Sequence, residues 1–215
     1  MWKRLEKHIE LLINRYPVLE NCKADIVSAY EIMEKSYESG GKLLIAGNGG
    51  SAADSEHIVG ELMKGFKNER HPSSDFKRDL INANEELGLV LGQNLQGALP
   101  AIALDGHLAL TTAYMNDVEP LLCFAQQLNG YGNCGDVFLG ISTSGNSKNV
   151  LYAATVARAK GLKVIGLTGK NKSKLSTYAD VTVRVPQTET YMIQELHLPV
   201  YHTWCLMLED RFFGE

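Results

Sequence analysis

Five short apolar runs, each ending in glycine or a polar turn, limit the possible folds of this chain most strongly. Their hydrophobicity is nearly continuous, which is typical of parallel strands covered by helices on both faces. Helical patterns at 52–64, 107–127 and 148–160 lie between them, as the crossovers of a parallel sheet require. The sequence therefore predicts an α/β three-layer sandwich around a five-stranded parallel sheet. The predicted strands are 42–46, 101–104, 137–141, 163–167 and 181–185.

The size and composition of the chain fit one compact domain that is not embedded in a membrane. Of its 215 residues, 45% are hydrophobic, and the net charge of −4 does not suggest nucleic-acid binding. No apolar run approaches the ~20 residues that cross a bilayer, and the first residues lack a secretory pattern. The four cysteines are widely scattered, which favours reduced thiols. We therefore expect a cytoplasmic protein.

Two segments of the predicted single domain 1–215 lie outside the sheet. Residues 1–40 contain two helical patterns with more apolar surface than one sheet face needs. We expect these N-terminal helices to contact the same helices of other subunits, and docking within the chain is the alternative. Residues 65–100 form a polar, poorly periodic insertion with one predicted helix at 80–91. Such long connections are commonly lids, subunit contacts or disordered segments.

A serine-rich segment after the third predicted strand has the features of a phosphate site. Its hydroxyls can donate to phosphoryl oxygens, Gly145 permits a tight turn, and the N–H groups of the following helix start favour an anion. Taken alone, the same segment is equally compatible with a turn that merely caps a helix. The candidate hydroxyls belong to Ser142, Thr143, Ser144 and Ser147.

A glycine-rich loop at 47–51 follows the first predicted strand in the same manner. Its glycines let the backbone approach a ligand, and Ser51 can cap the next helix or touch the substrate. The glycine spacing fits neither the dinucleotide pattern nor the ATP pattern, so we expect no nucleotide cofactor. A small phosphorylated metabolite is the better candidate. Because both loops leave the carboxyl ends of parallel strands, we expect them to face one pocket.

Titratable side chains occur on two predicted helices. His57 and Glu61 are four residues apart, so they are either an ordinary surface pair or share a metal ion or a reacting substrate atom. Gln194 and His202 lie on the otherwise apolar last helix, where a histidine can also be a packing residue. About 12 Å separates these two along an ideal helix axis, so one ion would join them only through extended side chains or a bend near Pro199.

Together these motifs resemble those of the phosphoheptose isomerases in the sugar isomerase (SIS) domain superfamily. The resemblance implies the flavodoxin-like SIS fold and a homotetramer with active sites between subunits. It also implies an aldose–ketose isomerase that converts sedoheptulose 7-phosphate to D-glycero-D-manno-heptose 7-phosphate for cell-surface glycans such as lipopolysaccharide or S-layers. The matching strings span nearly the whole chain: GNGGSAADSEH with the following GEL, Asn116-Asp117, STSGNS, GLTGK, RVP and IQELHLPVYH.

The resemblance further implies roles for individual residues. Glu61 is expected to be the general base that moves a proton between C1 and C2 through an enediolate, and His202 its acid/base partner. A Zn²⁺ ion held by His57, Glu61, Gln194 and His202 would polarise the carbonyl, although glutamine is an unusual zinc ligand. The expected substrate contacts are Asn48, Gly49, Gly50, Ser51, Glu61, Asn116, Asp117, Ser142, Thr143, Ser144, Ser147 and Gln194.

Three features depart from the family pattern. Gly65 stands where many members have an arginine, and Tyr191-Met192 precedes IQE where they read Ala-Arg, so two anion-binding charges are missing. The insertion at 65–100 is also longer than in compact members and would reshape the mouth of the pocket. The alternatives are therefore an isomerase of another phosphosugar, or a non-catalytic SIS protein that binds a phosphosugar or DnaA. Glu61 and His202 favour an enzyme.

Overall fold

The computed structural model of the protein describes residues 3–214. Its centre is a five-stranded sheet in which all neighbouring strands are parallel, in the spatial order β2-β1-β3-β4-β5. The predicted α/β class and all five predicted strands are confirmed, each end to within one residue. The strands are β1 (Leu43–Ala46), β2 (Ala101–Ala103), β3 (Val137–Ile141), β4 (Lys163–Thr168) and β5 (Val181–Arg184).

Helices cover both faces of the sheet and enclose two hydrophobic cores. Successive strand residues point to opposite faces, so Leu43 and Ile45 enter one core while Leu44 and Ala46 enter the other. The helices are α1 (Lys3–Arg15), α2 (Lys23–Glu38), α3 (Gly50–Met63), α4 (Ser74–Ala83), α5 (Glu85–Asn94), α6 (Leu108–Asp117), α7 (Cys123–Tyr131), α8 (Lys148–Ala159), α9 (Leu175–Tyr178) and α10 (Thr190–Phe213). None of the helices within residues 3–214 is both long enough and apolar enough to cross a bilayer.

The single helix predicted at 107–127 is wrong, because the structure has two helices there. α6 ends at Asp117, a short 3-10 turn follows at Pro120–Leu122, and α7 begins at Cys123. Glu119 has extended backbone angles, φ −146° and ψ 114°. A residue before proline avoids the helical region, so Pro120 interrupts an otherwise helical pattern.

The apolar faces of the N-terminal helices are buried within the chain itself. Leu5, Ile9 and Leu12 of α1 are at most 4% exposed, and α1 packs on α10. Ile26 and Met33 of α2 are at most 1% exposed. These apolar side chains suggested contacts between subunits. Their burial within the chain agrees instead with the alternative, docking of the N-terminal helices on the rest of the same chain.

The insertion at 65–100 contains a helical hairpin rather than one helix. α4 and α5 pack mainly on each other, and Asn84 separates them with extended backbone angles while its side chain caps α5. The base of the hairpin is closed, because the backbone N–H of Gly97 donates to the carbonyl of Arg70 at 2.6 Å. Several large apolar side chains of this hairpin remain at least 40% exposed: Phe76, Leu87, Leu89, Val90 and Leu91.

Candidate active site

The glycine-rich loop and the serine-rich loop meet at the carboxyl edge of the sheet, as the sequence predicts. β1 and β3 are neighbours, and the side-chain amides of Asn48 and Asn149 exchange two hydrogen bonds of 3.0 and 2.7 Å between the two segments. Gly49 has φ +57° and Gly145 has φ +63°, so glycine is needed in both turns. Ser51 is buried in the first turn of α3.

The serine-rich loop concentrates hydroxyl groups at the start of α8. Ser142 and Ser147 have their Oγ atoms 3.0 Å apart, and Ser142 Oγ also accepts the N–H of Gly145 at 3.1 Å. Ser144 Oγ accepts the N–H of Asn146 at 3.2 Å. The hydroxyl protons can turn toward a bound anion, and the helix N-terminus adds a favourable dipole.

A cavity of about 210 Å³ opens beside this loop. It combines hydroxyl donors with one cation, because Thr143 and Ser144 line it together with Lys170. Lys170 is the last residue of the GLTGK string, two residues after the end of β4, and was not among the predicted site residues. The lining therefore suits the phosphate end of a sugar phosphate.

Three predicted proton-transfer and metal residues converge on α3 and α10. His57 Nε2 lies 3.2 Å from Glu61 Oε1 and 3.5 Å from His202 Nε2. The Glu61 side chain is 13% exposed, and the Lys64 ammonium is 3.3 Å from its Oε2. Residues separated by 145 positions in the sequence thus meet in one cluster.

The surroundings of His202 favour its neutral form. Burial lowers the pKa of His202, and the neighbouring His57 lowers it further, while Glu61 opposes the change. A neutral imidazole can accept a proton from a sugar hydroxyl and return it. His202 also borders a cavity of about 390 Å³ that Arg15 and Phe66 help to line.

The structure places the other predicted site residues apart from this cluster. A side chain at position 50 would begin 2.6 Å from Gln194 Nε2, so Gly50 leaves room for the Gln194 amide at the first turn of α3. Asn116 and Asp117 are exposed at the end of α6, where Asn116 Nδ2 donates to Asp117 Oδ1 at 2.8 Å. Within residues 3–214, no group of three or more His, Cys, Asp or Glu side chains forms a metal site.

A buried ion pair anchors the end of α3, directly behind Glu61. Arg70 donates to Glu209 at 2.9 Å and to the carbonyls of Leu62 and Glu61 at 2.7 and 2.9 Å. Glu209 also accepts the backbone N–H groups of residues 66–68 at 2.8 to 3.1 Å. The two side chains are 0% and 1% exposed. We call the Arg70–Glu209 pair the clip. The sequence did not predict it, because only their positions in the fold distinguish these two residues from other charged residues.

Comparisons with known proteins find relatives both in sequence and in structure. A SIS domain profile matches residues 88–169. The phosphoheptose isomerase of Thermodesulfovibrio yellowstonii is 40% identical over 183 residues, which are 85% of this chain and 78% of that protein. The structure of phosphoheptose isomerase GmhA from Neisseria gonorrhoeae is 31% identical, with a TM-score of 0.73 over 97% of this chain and 98% of that one. The structure of a phosphoheptose isomerase from Francisella tularensis is 29% identical, with a TM-score of 0.75 over 96% and 97% of the two chains.

The parallel sheet and the serine-rich loop at its carboxyl edge define a SIS-domain protein. The identity of 40% extends over most of the sequence. The chain therefore belongs to the phosphoheptose isomerase family, which confirms the family expected from the motifs.

Proposed function

We propose that this chain is an aldose–ketose isomerase that converts sedoheptulose 7-phosphate to D-glycero-D-manno-heptose 7-phosphate in heptose synthesis for cell-surface glycans. Its family membership supports this activity. The observation that carries the proposal is the convergence of His57, Glu61 and His202 on α3 and α10. A protein that only binds a phosphosugar needs no paired proton-transfer groups.

The residues of this cluster can carry out the proton transfers of an isomerase. Glu61 takes a proton from C1 of the ketose, which leaves an enediolate, and later delivers a proton to C2. Neutral His202 accepts the proton of the O1 hydroxyl and gives it to O2, so that the aldehyde forms at C1. The Ser142–Ser147 loop and Lys170 hold the phosphate at the other end of the sugar.

Zinc binding at the same cluster is a second part of the proposal. Two ligands on a tetrahedral Zn²⁺ with bonds of ~2.0–2.1 Å are about 3.4 Å apart. The separations of His57 Nε2 from Glu61 and from His202 are close to this value. Gln194 of the same chain lies at the first turn of α3. Because His57, Glu61 and His202 do not form a metal site as the described residues stand, these three side chains would have to close around the ion. A bound zinc ion would polarise the substrate carbonyl.

One assay tests the activity and the zinc requirement together. Purified protein is incubated with C5, C6 and C7 ketose phosphates, before and after removal of metal by a chelator, and aldose formation is followed by NMR. We expect turnover of sedoheptulose 7-phosphate above the shorter sugars, loss after chelation and recovery with Zn²⁺. Faster turnover of a shorter sugar would reassign the substrate, binding without turnover would indicate a regulatory protein, and full activity without metal would exclude the zinc requirement.

The distance between the two ends of the site supports a homo-oligomer, which we propose to be a tetramer. Ser51 and Glu61 are ten residues apart on α3, about 15 Å along the axis. An extended seven-carbon sugar phosphate spans roughly 10 Å from phosphorus to C1 with single bonds of ~1.5 Å. The glycine-rich loop of one chain, which meets the serine-rich loop through Asn48 and Asn149, therefore lies further from Glu61 along α3 than the extended substrate spans. We infer that each active site combines the loop of one subunit with the cluster of another.

Subunit complementation tests this shared site. Glu61→Gln removes the base, and Ser142→Ala with Ser144→Ala removes hydrogen bonds to a charged group, each contributing roughly 1.5–3 kcal/mol. Each variant alone should be inactive at low substrate concentration. Co-expressed with different tags, they should regain about a quarter of the wild-type activity, because one site in four combines two intact halves. Absence of recovery in mixed oligomers would place the whole site within one chain.

A further inference from the structure

A tyrosine and a partly buried carboxyl group lie behind His57, on the side away from Glu61. Tyr201 Oη is 3.0 Å from His57 Nδ1 and 3.1 Å from Asp54 Oδ1. Tyr201 is 1% exposed, and its ring packs edge-on against the ring of His57 at a centroid distance of 5.5 Å. The chain Asp54–Tyr201–His57 therefore links α3 and α10 and ends at the nitrogen opposite Nε2.

The direction of these hydrogen bonds follows from counting protons. The tyrosine hydroxyl has one proton to donate. Among the described residues, Tyr201 is the donor that reaches the Asp54 carboxyl group, whose Oδ2 is buried without a partner. If Tyr201 donated its proton elsewhere, Asp54 Oδ1 would also be left without a donor, which is costly for a carboxyl group that is shielded from water. The tyrosine proton therefore goes to Asp54. Tyr201 Oη then accepts, and the proton of a neutral His57 resides on Nδ1.

This tautomer fixes the chemistry of the opposite ring nitrogen. With Nδ1 protonated, Nε2 of a neutral His57 carries a lone pair that faces Glu61 at 3.2 Å and His202 at 3.5 Å. A lone pair beside a carboxylate is stabilised by a shared proton or a cation between them. Hydrogen bonds of this kind, behind a histidine, commonly set which nitrogen is available at a reaction centre.

We propose that Tyr201, held by Asp54, is a positioning residue that fixes the Nδ1–H tautomer of His57 and directs its Nε2 lone pair to Glu61 and His202. The catalytic consequence rests on the proposed isomerase function. The tautomer itself is a property of the free protein and can be measured without substrate or metal.

The test is nitrogen NMR of metal-free protein labelled with ¹⁵N-histidine. The chain has six histidines, and His57→Gln identifies the His57 signals by their loss. We expect the wild type to show the Nδ1–H form and Tyr201→Phe to shift His57 toward the Nε2–H form that free histidine prefers. In assays of the active enzyme, Tyr201→Phe should lower kcat about tenfold with little change in KM, because the phosphate loop is untouched.

Two matched variants separate this role from simple loss of stability. Tyr37→Phe also removes a buried hydroxyl that donates over 3.1 Å, to the carbonyl of Pro100, and should leave the His57 signals and kcat unchanged. Asp54→Asn keeps an amide oxygen that can accept the Tyr201 proton, so His57 should keep the Nδ1–H form. Thermal unfolding establishes that each variant is folded at the temperature of measurement.

The outcomes distinguish this inference from the proposed function. An Nε2–H form in the wild type, or an unchanged tautomer in Tyr201→Phe, overturns the inference even if the protein is an active isomerase. A changed tautomer with unchanged kcat overturns the catalytic role of Tyr201. If the wild type turns over no sugar phosphate, the proposed function fails, and the His57 signals still decide whether Tyr201 sets the tautomer.

Discussion

Replacing Glu61 with glutamine is expected to lower kcat by about 10³-fold while leaving the fold and phosphosugar binding intact. The amide is nearly isosteric with the carboxylate but cannot accept the C1 proton. Glu61 lies 3.2 Å from His57 on a helix whose other face is packed, so the substitution leaves the core unchanged. The measurement compares kcat with the dissociation constant of the sugar phosphate.

Glu56→Gln is the matched control for this substitution. Glu56 is exposed on the same helix, and its substitution by glutamine removes the same negative charge. Its kcat should equal that of the wild type. Wild-type turnover in Glu61→Gln would remove Glu61 from the role of base, and an equal loss in both variants would attribute the effect to charge rather than to proton transfer.

Replacing Glu209 with alanine is expected to destabilise the protein by about 3–5 kcal/mol, because the substitution breaks a buried ion pair. Arg70 would remain charged and 0% exposed, and the N–H groups of residues 66–68 would lose their acceptor. Urea unfolding followed by circular dichroism measures the change in free energy. Since Arg70 also donates to the carbonyl of Glu61, the active site should loosen in the same variant.

Glu195→Ala on the same helix provides the comparison for stability. Glu195 is exposed, so its truncation should change the free energy of unfolding by less than about 0.5 kcal/mol. A loss below 1 kcal/mol in Glu209→Ala would mean that water or another side chain replaces the carboxylate, and the clip would then not hold α3 in place.

The strands were predictable because their signal is local. A buried parallel strand needs a short, nearly continuous apolar run, and each of the five runs ends at a turn residue within one residue of the observed strand. The break between α6 and α7 also had a local signal, Pro120, but the apolar periodicity continued across it. The predicted helix at 80–91 failed for a similar reason, since Asn84 divides the segment into α4 and α5.

The site was predictable only in part, because periodicity does not reveal which helices are neighbours. The family resemblance indicated that His57, Glu61 and His202 belong together, whereas the spacing of His57 and Glu61 alone favoured an ordinary surface pair. Sequence periodicity also gave no reason to select Tyr201 or Asp54, since a tyrosine on an apolar helix looks like a packing residue. The partner of the α1 apolar face was ambiguous for the same reason, and α10 of the same chain covers it.

The closed base of the α4–α5 hairpin explains how this fold accommodates the long connection between α3 and β2. The chain leaves the body at Arg70 and returns at Gly97, where the two backbones share a hydrogen bond of 2.6 Å. Because this hydrogen bond fixes the two ends, the length of the segment between them does not alter the spacing of α3 and β2. Doubling such a loop costs only about 0.6 kcal/mol in closure entropy. The length and sequence of the hairpin can therefore change while the sheet and the two loops at its carboxyl edge keep their positions.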